Sequence, residues 1–334
     1  MRPRVAIIYN QPQPDRYEAI GEKEAVLGVL GEVDAVHRAL SESGYTVTRV
    51  PLVPPLERVR EQLGRLDTDV VFNLFEGFDG DPQTEAHVAG MLSEMGLRHT
   101  GCGADAIASA LDKAKARSLL AAAGVESPRH QLLNGEGISS FALSFPCIVK
   151  PNAEDASHGI TEESVVNDLT SLERQAARVC DRYGGRALVE EYIDGREFNA
   201  TVLGNTRLEV LPVSEIAYSL PLGMPRILTY SAKWEPESTY YRCSEVVCPA
   251  ELATEERERV GSVVATAFSA LACAGYARVD LRMDAGGHFK VIEVNPNPDI
   301  SPDAGAARQA RAAGMTYREL IERIVILALD GAER

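Results

Sequence analysis

The fold turns on Tyr276-Ala277-Arg278-Val279-Asp280-Leu281-Arg282-Met283, then Asp284-Ala285-Gly286-Gly287, then His288-Phe289-Lys290-Val291-Ile292-Glu293-Val294-Asn295. Two alternating runs flank a Gly-Gly turn signal, which predicts a β-hairpin. Side chains alternate along a strand, so Arg278 and Asp280 share a face, as do Glu293 and Asn295. Pairing Met283 with His288 makes these the same face and sets Arg278 opposite Glu293. Val279, Leu281, Ile292 and Val294 are then expected to pack behind it. Hard oxygen donors of this kind suit Mg²⁺, which takes a few carboxylates together with phosphate oxygens and water. An exposed, salt-bridged hairpin face accounts for the Arg–Glu pair equally well. Asn295 runs into Pro296-Asn297-Pro298-Asp299, where proline stops the strand and buries an amide at its end. On residues alone both readings stand.

Upstream, Phe145-Pro146-Cys147-Ile148-Val149 reads as a buried strand ending in Lys150. A lysine there needs an anionic partner, because an unpaired buried ammonium is very costly. The following loop, Asn152 to Gly159, is small and glycine-containing, enough to bring backbone amides near a phosphate. His158 within it reads as a loop residue facing solvent or phosphate. Leu188-Val189-Glu190-Glu191-Tyr192-Ile193-Asp194-Gly195-Arg196-Glu197 places acceptors of the kind adenine and ribose require. Read alone, it is an edge strand with solvated carboxylates.

The first hundred residues alternate strand and helix signals. Arg4–Tyr9, Thr46–Leu52 and Asp69–Glu76 read as strands; Glu22–Ser43, Leu56–Leu66 and Thr84–Met95 read as helices. That order implies a parallel sheet with crossover helices. Gln11–Glu18, with two prolines, reads as a mobile loop. Asp112 caps a helix that Gly124 ends, and further helices are expected at Asp168–Tyr183, Thr254–Cys273 and Thr316–Leu329. Three lobes follow: an α/β lobe over 1–104, a small central lobe over 105–194 and an α+β lobe over 195–334. Gly101-Cys102-Gly103-Ala104-Asp105-Ala106 matches a loose dinucleotide fingerprint, but it follows three α/β units rather than opening the first, so it reads as a turn into a helix.

Composition excludes several classes. The chain has 334 residues, 45% of them hydrophobic and 25% charged, with a net charge of −15. Such an acidic surface is repelled by nucleic acid and anionic lipid. The apolar run near Met1 is too short for a secretion signal, and the stretch from Val260 to Ala277 is too interrupted to span a membrane. Cys102, Cys147, Cys180, Cys243, Cys248 and Cys273 contain no Cys-x-x-Cys pair, which predicts reduced thiols and a cytoplasmic protein.

In order and spacing these segments resemble the ATP-grasp superfamily and, within it, the D-alanine–D-alanine ligase family. The likeness runs from about Glu76 to Ala328. It rests on Asp112-Lys113, Ile148-Val149-Lys150-Pro151, Val189-Glu190-Glu191-Tyr192 with Glu197-Phe198, Arg278-Val279-Asp280 and Glu293-Val294-Asn295. The resemblance implies that Lys113 and Lys150 hold ATP phosphates under a loop carrying Ser157 and Gly159. It sets Glu190, Glu191, Tyr192 and Ile193 around adenine and Glu197 on the ribose. Lys233 reaches the γ-phosphate, and Asp280, Glu293 and Asn295 bind two Mg²⁺ ions, with Mn²⁺ able to replace them. Arg278 faces the reacting carboxyl. Dimers are common in that family, so a homodimer is also implied.

The implied activity is ATP-dependent joining of a small amino acid or other carboxylate to an amine through an acyl phosphate. Where the family continues from its metal-binding Asn as Thr-Ser-Pro-Gly-Met, this chain has Pro296-Asn297-Pro298-Asp299-Ile300. Asp299 can attract an ammonium group. Ala156 and Ser157 stand for paired serines, and Trp234 stands for a tyrosine near the acceptor. His158, Trp234, Asn297 and Asp299 are therefore the candidate substrate residues. The family's N-terminal glutamate has no clear counterpart, since Leu27 falls near its place. These departures point to substrates other than two D-alanines. The alternatives are cell-wall D-alanine–D-alanine ligation itself and a silent ATP-binding module.

Overall fold

The computed structural model describes residues 2–12, 23–78, 81–134, 138–154, 157–184 and 186–331. The expected loop over Gln11–Glu18 lies outside them beyond Pro12. Strand β1 (Arg4–Asn10) occupies the middle of a parallel sheet, between β2 (Thr46–Leu52) and β3 (Val70–Leu74). A central parallel strand is covered on both faces, which is why Val5, Ile7 and Ile8 form one apolar run, each at most 1% exposed. Helices α1 (Lys23–Glu42), α2 (Leu56–Leu63) and α3 (Gln83–Glu94) supply the cover. The α/β order read from the sequence is therefore present, with ends moved by a few residues.

Helix α4 (Ala104–Leu111) starts directly after Gly101-Cys102-Gly103, so that glycine pair is a turn into a helix. Helix α5 (Lys113–Ala122) begins at Asp112, whose carboxylate accepts the Lys115 backbone N–H at 3.1 Å. Residues 105–125, grouped by sequence with the central lobe, bury their apolar side chains against the later antiparallel sheet. The central sheet has the order β4-β7-β5-β6 and is antiparallel. It comprises β4 (His130–Leu133), β5 (Cys147–Pro151), β6 (Val165–Val166) and β7 (Ala187–Glu191), with α6 (Leu169–Tyr183) on one face. Strand β7 runs between β4 and β5, so the edge-strand reading of Leu188–Ile193 is corrected: Glu190 is buried at 1% exposure, while the Glu191 side chain stays 41% exposed.

The third sheet is built on β8 (Glu197–Gly204), with β9 (Glu209–Val210), β10 (Ser214–Tyr218) and β11 (Ser244–Val247) to one side. Short helices α7 (Tyr230–Trp234) and α8 (Thr239–Arg242) stand between β10 and β11 in the chain, and α9 (Thr254–Ala270) packs behind the sheet. The hairpin β12 (Gly275–Met283) and β13 (Phe289–Asn295) completes it, followed by α10 (Gly305–Ala312) and α11 (Tyr317–Asp330). Helix α11 returns to the first sheet, where Leu320, Ile321 and Ile324 join the core that contains Val5 and Ile7.

The hairpin register differs from the expected one. Met283 pairs with Phe289, Asp280 with Glu293 and Arg278 with Asn295, and the register shifts between Asp280 and Leu281. Val291 faces the core at 0% exposure, while Ile292 has no cross-strand partner and is half-buried. The turn is one residue longer than the Gly-Gly signal implies. Asp284 accepts the backbone N–H groups of Gly286 and His288, each at 2.9 Å, and so closes the wider loop. The bulge then restores the phase, so Arg278, Asp280, Glu293 and Asn295 still share a region.

Among the described residues no helix is long and apolar enough to cross a membrane. Gly195, before β8, is held to glycine by packing: a Cβ there lies 1.7 Å from the Met283 carbonyl oxygen. Gly195→Ala is expected to destabilise the protein by about 2–3 kcal/mol through backbone displacement. Gly261→Ala in α9, where an added Cβ meets nothing within 4 Å, is expected to stabilise by up to about 1 kcal/mol. Denaturant midpoints of the two variants check the pair.

Candidate active site

Glu190 on β7 is 1% exposed and lies between two cations. Arg117 Nε donates to its Oε1 at 2.8 Å, and Lys150 on β5 pairs with its Oε2. Burial alone would raise the Glu190 carboxyl; the guanidinium of Arg117 and the ammonium of Lys150 outweigh it and hold the group at about 2. Burial in turn lowers Lys150 from its ordinary value, against the pull of Glu190. Arg117 also donates to the Ile292 carbonyl, the group left over by the hairpin bulge. One guanidinium therefore ties the central sheet to β13.

Glu293 repeats the pattern one layer away. Lys113, at the first turn of α5, reaches its Oε1 at 3.0 Å and also donates to the Glu154 carbonyl. Burial opposes ionisation of Glu293, and Lys113, Lys150 and Arg278 together bring it down to about 2. Arg278 grips Asp280 with two bonds, at 2.7 and 2.8 Å. The Asn295 amide oxygen accepts the Asn297 backbone N–H at 2.9 Å, an arrangement that keeps the residue after Pro296 close to the strand end.

Two cavities meet here. The smaller, about 110 Å³, is bordered by Lys113, Lys150, Ser157, Glu197, Asp280 and Glu293, with Ile148 and Ile292 as apolar walls. The larger, about 1030 Å³, is bordered by Arg278, Asn295, Asn297, Asp299 and Trp234. His158 and Lys233 border both. The Arg278–Asp280 pair thus presents its guanidinium to one cavity and its carboxylate to the other.

Several expected placements change. His158 does not face solvent: it is 4% exposed, with its ring 5.6 Å from that of Tyr230. Ser157 adopts a φ of 64°, and Gly159, at 74°, presses so closely on Tyr183 and Pro151 that a Cβ would come within 3 Å of both. Glu190 borders neither cavity, because Arg117 and Lys150 enclose it. The Glu191 backbone N–H donates to the Arg129 carbonyl at 2.9 Å, and the Ile193 carbonyl accepts from Arg282 at 2.8 Å. The Tyr192 hydroxyl bonds Asp194 at 3.1 Å. Glu197 is held by Arg282 and by the Tyr218 hydroxyl at 2.7 Å.

Arg117 and Arg282 were not among the expected site residues. Their signals were present. Arg282 shares the alternation of Arg278 and Asp280, and Arg117 lies one helical turn beyond Lys113. Glu32 of α1, which also borders the large cavity, carries no comparable sequence signal. Among the described residues, no group of three or more His, Cys, Asp or Glu side chains stands ready for a metal. All six cysteines are free. An ion held between Asp280 and Glu293 would need further oxygen ligands, of the kind a phosphate and water supply.

The chain is similar in sequence and in fold to known proteins. The sequence model of the family described as D-ala D-ala ligase C-terminus matches residues 126–326. Uncharacterized protein y4sG of Sinorhizobium fredii is 33% identical over 305 residues, covering 88% of this chain and 86% of its own. A D-alanine–D-alanine ligase of Haemophilus influenzae is 30% identical over 302 residues, covering 88% and 94%. The fold is shared with a D-alanine–D-alanine ligase of Bacillus anthracis complexed with ATP, at a TM-score of 0.75, 21% identity and 99% coverage of both chains. It is also shared with the VanG D-Ala:D-Ser ligase of Enterococcus faecalis, at 0.75 and 19%, covering 98% of this chain and all of that one.

The buried triad has a defined pH signature. Glu190 titrates near 2 when folded, against an ordinary value of 4.5. Its stabilisation is complete above the ordinary value and is lost as pH falls from there through 2. The stability gap between the parent protein and Glu190→Gln is expected to close across that window, as read from urea midpoints. At neutral pH the variant is expected to lose about 3–5 kcal/mol, as one partner of a buried pair is removed.

Proposed function

The chain belongs to the D-alanine–D-alanine ligase family of ATP-grasp ligases, and from that premise we propose how its residues divide the work. It is an ATP-dependent carboxylate–amine ligase: a carboxylate is activated by phosphoryl transfer, an amine attacks, and ADP and phosphate are released. The observation that carries the division is the Arg278–Asp280 pair standing between two cavities joined at His158 and Lys233. The smaller side is read as the phosphate end of the ATP site and the larger as the amino-acid site.

Lys113, Lys150 and Lys233 neutralise the phosphates, and Ser157 and Gly159 shape the loop beside them. Ile148 and Ile292 supply apolar wall, and Glu197 takes the ribose. Glu190 acts from behind, holding Lys150 and Arg117 in place, while Glu191, Tyr192 and Ile193 border the base. Asp280, Glu293 and Asn295 fit Mg²⁺ or Mn²⁺, two ions in the family pattern. They provide hard oxygens, and Lys113 and Arg278 already balance their negative charge. Bound metal supplies charge neutralisation on the transferring phosphoryl group. Arg278 then stabilises the oxyanion formed as the amine adds, and Lys233 and His158 shield the acyl phosphate from water.

We divide the chain functionally as 1–104, 105–194 and 195–334, and place it in the cytoplasm as a homodimer, as the resemblance implies. The names of relatives 27–30% identical favour D-alanine as one substrate. Asp299, where the family pattern has glycine, favours a different pair.

The test is ADP release with Mg²⁺, ATP and amino-acid pools, with mass spectrometry of the product. Arg278→Met is expected to lower kcat by about 10²–10³-fold, as loss of an oxyanion donor does, while ATP still binds. D-Alanyl-D-alanine formed from D-alanine alone identifies the cell-wall activity. Absence of ADP release across all acids and amines overturns the ligase reading.

A further inference from the structure

Glu197 and Arg282 face each other across the β8–β12 pair and are 6% and 5% exposed. Arg282 Nη2 donates to Glu197 Oε2 and to the Arg226 carbonyl, and Nη1 donates to the Ile193 carbonyl at 2.8 Å. The guanidinium also lies 5.7 Å from the centre of the Tyr192 ring. Its acceptors come from three segments: the linker after β7, the start of β8 and the loop before α7. A planar fork held at three points has little freedom left. Glu197 Oε2 accepts a second bond, from the Tyr218 hydroxyl at 2.7 Å. Burial and the charge of Glu197 push that hydroxyl well above its ordinary value, so it remains a donor. Oε1 of Glu197 meets no hydrogen-bond donor among the described residues, and Glu197 borders the small cavity.

We propose that Arg282 is a positioning residue for the nucleotide: it fixes the Glu197 carboxylate so that Oε1 accepts the ribose hydroxyls of ATP. The inference rests on the reading of the small cavity as the ATP site with Glu197 at the ribose. Arg282 already balances the charge of Glu197, so a neutral donor rather than a second cation completes the carboxylate, and a pair of ribose hydroxyls is such a donor. A glutamate held in advance loses little freedom when the ligand arrives. Asp280 lies two positions before Arg282 on β12, about 7 Å along the strand, so one strand sets both the ribose end and the phosphate end of the nucleotide. The bond to the Arg226 carbonyl serves the same cavity, since Ile227 and Leu228, which follow it, form part of its wall.

Calorimetry on the full chain with Mg²⁺ and ATP, 2′-deoxy-ATP or 3′-deoxy-ATP tests this. The parent protein is expected to bind ATP about 10–100-fold more tightly than at least one deoxy analogue, as loss of a bond to a charged acceptor gives. Arg282→Met is expected to bring that ratio towards one while ATP still binds; a merely structural loss would weaken all three nucleotides alike. Arg282→Lys, which keeps the buried charge and loses the fork, makes the same measurement should the first variant fail to fold. Glu197→Gln is expected to show the same loss of discrimination, and adding the Arg282 substitution to it is expected to change the ratio no further. A ratio unchanged by substitution of Arg282, or losses that add in the double variant, overturns the inference and leaves the ribose reading standing. A parent protein that binds all three nucleotides equally overturns both.

Discussion

A single buried guanidinium organises the site. Arg117, 1% exposed on α5, joins the Glu190 carboxylate of the central sheet to the Ile292 carbonyl of the hairpin. An arginine with no carboxylate would be too costly to bury, and a carboxylate with no cation equally so. Each charge therefore requires the next. Arg117 requires Glu190, Glu190 also holds Lys150, and the charge of Lys150 bears on Glu293, which Lys113 meets from the start of α5. The chain of charges runs from one sheet to the other and fixes their approach. That rigidity matters because phosphoryl transfer depends on placing charge where it develops, with little left to rearrange.

The bulge in the hairpin belongs to the same system. Without it, the longer turn closed by Asp284 would put the two strands one step out of phase, and Glu293 would lose its place opposite Asp280. With it, Ile292 turns towards the small cavity and its carbonyl, left without a strand partner, goes to Arg117. A local irregularity in pairing thus creates both the apolar wall of one cavity and the attachment point for the buried arginine. The same residue, expected to pack behind the hairpin, ends up in front of it.

What could be read from sequence was whatever follows from alternation and capping. The apolar run of β1, the Asp112 cap and the shared face of Arg278 and Asp280 all follow from local spacing, and each is found in the structure. The need of Lys150 for an anion was also legible, but the identity of the anion was not. Glu190 lies 40 positions away and pairs through β5–β7 register, which no local pattern encodes. For His158 the small loop residues left solvent and phosphate both open, and the ring is buried near Tyr230 of a distant helix, at the border of both cavities. The bulge was hidden because its cause, the extra turn residue, and its effect, the shifted phase, cancel in the pattern of polar side chains.

Global and local charge separate clearly in this molecule. A net charge of −15 describes a surface that keeps polyanions away. Inside, Lys113, Lys150, Lys233 and Arg278 gather around two joined cavities, so the interior at that point is suited to an anion such as a nucleotide phosphate.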